Sequence, residues 1–174
     1  MQNATPGNCG RVVGNSYLTD PVGENPANFR FAGFSITTEL YAGAVDHDEL
    51  LCRADAWIAY WLAPKGSQER EATAWATDLY DLEYHDPETL WQLILTIHSK
   101  DQSPRIQEVL SAGPIENLLA NYGDAFIERV EVRARKDPKF AKLLGGVWQG
   151  GMTNAMWQRL QRVWDRRGWD GIPE

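Results

Sequence analysis

From residue 46 onward, three places set a helix-capping residue directly before proline: Asp86-Pro87, Ser103-Pro104 and Asp137-Pro138. Proline at the first helical position costs nothing, because the N–H it lacks would have no partner there, whereas deep inside a helix the same ring breaks the hydrogen-bond ladder. Each pair therefore marks a beginning. Gly113-Pro114 is a weaker version of the same device. A chain punctuated in this way has to be assembled from short helices, provided that the stretches between the marks carry an apolar face.

They do. Leu50, Leu51, Ala54, Trp57, Ile58, Trp61 and Leu62 fall at steps of three and four, giving one wide stripe on a helix that Asp46 and Glu49 open in the manner of a capping box and that ends near Ala63, before Pro64. A second helix is expected from about Gln68 to Glu83, with Ala72, Trp75, Ala76, Leu79 and Leu82 inward. Leu90, Trp91, Ile94, Leu95 and Ile97 follow Asp86-Pro87. Gly113 and Gly123 stand where left-handed C-terminal caps are wanted, and Asp124 heads a helix carrying Phe126, Ile127, Val130 and Ala134. A last helix starts at Thr153, shows Met156, Leu160, Val163 and Trp164 on one face and Arg159, Arg162 and Arg166 on another, and ends at Gly168. The sum is an all-α domain of seven to eight antiparallel helices, as a compact irregular bundle or a short solenoid. Without a fixed repeat period the bundle is favoured.

Residues 1–45 differ in texture. Rich in Gly, Asn and Pro, they predict an extended or partly ordered segment, with one candidate strand or hairpin in FRFAGFSITTELY around Phe29, Phe31, Phe34 and Ile36. The expected division is thus 1–45 and 46–174. At 174 residues the chain buries enough surface to need neither metal nor disulfide. Cys9 and Cys52 form no zinc or redox motif, and Cys52 reads as a small buried hydrophobe.

Charge excludes some partners. The formal net charge of -7 argues against nucleic-acid binding, and the acidity is concentrated: residues 1–86 hold 5 Lys/Arg against 13 Asp/Glu, residues 87–174 hold 12 against 11. An acidic surface suits a basic protein partner, or imitation of nucleic acid by the Asp/Glu of residues 46–86. No apolar run reaches the roughly 20 residues of a membrane span, and MQNATPGNCGRVVGNS lacks the basic start and apolar core of a secretory signal, so a cytoplasmic location is expected.

Motifs that carry chemistry are scarce. Asp46-His47-Asp48-Glu49 has the residue types of a metal cluster, but neighbours at a helix start point apart and the dipole already accounts for the acids, so no metal is expected. Glu83, Asp86 and Glu88 lie in a wet turn. LLGGVWQGGM (Leu143–Met152) lacks the Lys-Ser/Thr and preceding strand of a phosphate loop, and no cofactor is implied. The eight tryptophans stand out, four of them in the last 27 residues. Trp57, Trp61, Trp75, Trp91 and Trp164 fit helical stripes as core. Trp148 and Trp169 fit none, and with Gln149, Arg159, Arg162 and Arg166 they make the candidate partner-binding surface, since Trp and Arg dominate binding hot spots.

The run Ala112-Gly113-Pro114-Ile115-Glu116, Leu118-Leu119, Gly123, Phe126-Ile127, Val130-Glu131, Ala134, Asp137-Pro138, Phe140 and Leu143 to Gln149 resembles an uncharacterised bacterial family of helical domains. The preceding D-P-E-x-x-W-x-L-I-L helix, Asp86 to Leu95, belongs to the same likeness, which spans roughly residues 75–165. The resemblance implies a helical domain and brings no reaction or catalytic residue with it. The expectation is therefore a non-enzymatic protein-binding module, of the kind used as an immunity protein or inhibitor. Two alternatives stand beside it: an enzyme whose site gathers His85 or His98 with Glu131 and Gln149, and the acidic nucleic-acid mimic.

Overall fold

The structure is a computed structural model and describes residues 47–169. The chain divides into two units, Met1–Ala44 and Val45–Glu174. The expected N-terminal segment, its strand around Phe29–Ile36, Cys9 and the Asp46 end of the capping box lie outside the described residues. Within them every regular element is a helix.

Helix α1 runs from His47 to Leu62 and buries Leu50, Ala54 and Trp57, while Leu62 stays exposed. Cys52 on its flank is half-buried, which corrects its reading as a buried hydrophobe. The single helix expected over 68–83 is three pieces: α2 (Gln68–Thr73), a 3-10 turn (Ala74–Thr77) and α3 (Tyr80–His85). The cause is local. The Thr73 and Thr77 hydroxyls donate to the carbonyls of Glu69 and Ala74, and Asp78 leaves helical geometry at ψ 97. The tighter turn rotates the apolar phase, so Ala76 and Leu79 are buried but Trp75, expected inward, is 46% exposed.

The proline devices work as read. Asp86 caps α4 (Pro87–Lys100) by accepting from the Thr89 N–H, and Asp137 caps α7 (Pro138–Leu144) by accepting from the N–H groups of Lys139 and Phe140. Ser103 holds the cap position of α5 (Pro104–Leu110) without a side-chain cap bond. Gly113-Pro114 starts nothing. It sits inside a π turn, Ser111–Ile115, that carries α5 into α6 (Glu116–Lys136) as one bent rod. Gly123, expected as a cap, is inside α6 beside a kink at Tyr122 (φ -132°). Its requirement is spatial: a Cβ there would lie 2.8 Å from Met156 Cε on the last helix, α8 (Asn154–Gln161). That helix starts at the Thr153 cap as expected but stops at Gln161, well before Gly168.

One buried cluster joins the elements from α1 to α8. Helix α4 is its centre and packs on α1, α3, α5 and α6. Phe140 of α7, completely buried, meets Trp91 edge-on at 5.9 Å and His98 at 5.4 Å. Gly113, by contrast, has helical φ and nothing within 4 Å of where a Cβ would stand. Gly113→Ala should raise stability by about 0.5–1 kcal/mol through the unfolded state, read as a higher urea midpoint with unchanged slope.

Candidate functional site

The Gly145–Met152 connection follows α7, and three tight backbone bonds shape its start: Gly145 to Lys142, Gly146 to Leu143 and Val147 to Leu144. Its first glycine pair is explained by what lies against it. After α8 the chain turns back, the Asp165 N–H donates to the Ala141 carbonyl at 2.8 Å, and the Trp169 indole N–H donates to the Lys142 carbonyl at 2.8 Å. A Cβ on Gly145 would meet the Asp165 carbonyl and lie 2.9 Å from Arg166 Cα; one on Gly146 would lie 2.5 Å from Ser111 Oγ and 2.6 Å from the Trp169 ring. Trp169 is thus a half-buried latch of the C-terminal segment.

Trp148 is the opposite. Val147 before it is buried, yet Trp148 itself is 45% exposed. Its neighbours are fastened. The Trp148 N–H donates to the Glu116 carboxylate, whose pKa burial nevertheless pushes above the usual range. Gly150 takes φ 47° with Glu116 Oε1 close above it, and Gln149 Nε2 donates to Asn154 Oδ1 at 2.8 Å. Trp148, expected on the partner-binding surface, presents a large aromatic face to solvent.

The three arginines do not form one face, because α8 ends between them. Arg159 donates to Glu131 at 2.8 Å and, with Arg135, holds that carboxyl below its usual pKa; Arg166 lies over the Trp164 ring at 5.2 Å; Arg162 is exposed. The residues of the enzyme alternative are separately engaged. Glu131 pairs with Arg159, Gln149 with Asn154, and His85 flanks Tyr80. His98 is 1% exposed, with Nε2 3.4 Å from Asp137 Oδ2, while Arg133 Nη2 donates to the same oxygen at 2.9 Å. A side chain so enclosed has no route to a substrate.

The π-turn rod, the glycine loop and every helix after α1 fall within the stretch for which a family relationship is found: the sequence model of a family of unknown function, DUF6869, matches residues 63–168. This chain belongs to that family. No curated protein and no solved structure matches it.

For this DUF6869 chain the acidic residues of 47–86 are spread over separate elements with separate duties. Asp55 pairs with Lys100, Asp78 Oδ1 accepts from the Tyr80 N–H, Glu83 accepts from Asn117 and Asp86 caps α4. No group of three or more His, Cys, Asp and Glu able to hold a metal occurs among the described residues, and no helix there is long and apolar enough to cross a membrane. Sequence reasoning passed over two features. Tyr80 and Tyr84 stack at 4.8 Å on the surface of α3, hidden by a helix boundary that local signals misplace. The cleft beside the π turn is lined from four stretches of chain, and only a turn-breaking Gly-Pro inside a helix hinted at it.

Two outcomes follow. Trp169→Ala should cost about 1–3 kcal/mol and Gly145→Ala a similar amount by overpacking, both measured by urea unfolding. Burial lowers the pKa of His98, with Asp137 opposing and Arg133 reinforcing the shift. The unfolded chain therefore binds the His98 proton more readily, so stability is full above the ordinary value of 6.5 and is lost as pH falls below it. Melting temperature should drop between pH 7.5 and 5.5, and His98→Gln should flatten that drop.

Proposed function

We propose that this chain is a protein-binding module without chemistry of its own, acting as an immunity protein or inhibitor does, by covering part of another protein. The observation that carries the reading is Trp148: a loop tryptophan, 45% exposed, whose own N–H reaches the Glu116 carboxylate and whose next side chain, Gln149, is hydrogen-bonded to Asn154. Burying such an anchor gains apolar contact and loses little conformational freedom. The net charge of -7 adds long-range attraction toward a basic partner. The enclosure of His98 and the separate pairing of Glu131 and Gln149 argue against the assembled enzyme site, and the dispersed carboxylates argue against a nucleic-acid mimic.

A photo-crosslinking residue placed at 148 in the source cell should trap one protein in stoichiometric yield, while the same residue at exposed Val132 should not. Trp148→Ala should leave folding stability within about 0.5 kcal/mol of the parent and abolish co-purification of that protein. Loss of folding with Trp148→Ala, or equal trapping from both positions, would sink the proposal.

A further inference from the structure

A cleft of about 420 Å³ opens beside the π turn, within the size range of side-chain and small-ligand pockets. Trp57 and Trp61, ring centroids 6.0 Å apart, line it with Leu79 and Val109 as apolar surface, and Glu83 and Glu108 supply its negative charge. Arg105 also lines the cleft, but it lies over the Trp61 ring at 5.1 Å and within 3.6 Å of the Glu108 carboxylate, so its charge is answered inside the lining. One negative charge is left over. It is that of Glu83, whose Oε1 accepts from the Asn117 amide at 2.8 Å and whose other oxygen is available to a further donor. Gly113 belongs to the same lining, and the space over it is empty.

The cleft and Trp148 share one stretch of the rod. Ala112 lines the cleft and stands about a turn before Glu116, which receives the Trp148 N–H, and Asn117, the next residue, holds Glu83. We infer that the cleft receives a lysine side chain of the partner, in a contact surface that continues across Ala112 and Glu116 to Trp148; this rests on the reading of the chain as a protein-binding module. The methylene stem of lysine matches the tryptophan wall, and its compact ammonium, with three donors, matches a free carboxylate oxygen of Glu83 and the nearby Glu108. A guanidinium fits less well, because Arg105 already occupies the Trp61 face.

The test uses the full chain labelled with nitrogen-15 and two probes, N-acetyl-lysine methylamide and its norleucine counterpart, which has the stem but no charge. The lysine probe should shift the Trp57 and Trp61 indole N–H signals saturably in the millimolar range, and the norleucine probe should not. Glu83→Gln, which keeps an acceptor for Asn117, should weaken the lysine probe by about tenfold, the loss of one charged hydrogen bond. Gly113→Leu should fill the cleft and abolish the shift with the melting transition retained. Equal shifts from both probes, no saturation, or full binding by either variant would overturn the inference. The crosslink at position 148 reads the parent proposal separately: trapping there with no lysine binding removes the cleft alone, and lysine binding without trapping removes the protein-binding surface.

Discussion

Helix α4 turns one broad face, Leu90, Trp91, Leu93, Ile94, Ile97 and His98, away from water, and the helices packed on it are placed by the need to cover that face. An apolar face of this width is not stable when left exposed to water. Its contact with α7 runs through Phe140, which meets Trp91 and His98 edge-on and so helps to position α7 and its C-terminal end. From that end the glycine loop departs, and the returning chain closes over it at Trp169. Moving Phe140 would therefore shift the loop, the latch and the presentation of Trp148 together.

The polar interior follows the same centre. Asp137 ends α6, caps α7, accepts from Arg133 and faces His98, so one carboxylate serves a helix start and a buried imidazole at once. Phe140 and Lys139 N–H bonds, Arg133 and His98 together hold its pKa below the usual range although burial works the other way. Exposed pairs such as Lys100 with Asp55 are minor by comparison, since solvent screens them.

What the sequence made legible were signals satisfied within a few residues: the capping prolines at 87, 104 and 138, the Thr153 cap, and the apolar periodicity of α1 and α4. What it hid were roles fixed by distant contacts. Gly123 is shaped by Met156 and Gly146 by Ser111 and Trp169, so reading either as a local cap or turn residue misses its reason. The tryptophans show the same split. Trp169 and Trp148 look alike in the sequence, outside any stripe, yet one closes on the loop and the other projects from it. Trp75 was misread because a two-threonine back-bonding pattern tightened its helix and turned it outward.

The π turn at Ser111–Ile115 is in effect an α-helix with one residue too many. Each residue of an α-helix advances the azimuth by about 100°. The surplus residue therefore rephases the rod, so that Ile106 and Leu110 ahead of it and Leu118 and Leu119 behind it all point into a common interior. With that residue absent, everything from Glu116 onward would be rotated by more than a quarter turn. Glu116 and Asn117 would then face elsewhere, and the loop carrying Trp148 would lose its anchorage while each half of the rod remained a sound helix. The angular bookkeeping of a single residue thus sets which side of the molecule meets the outside world.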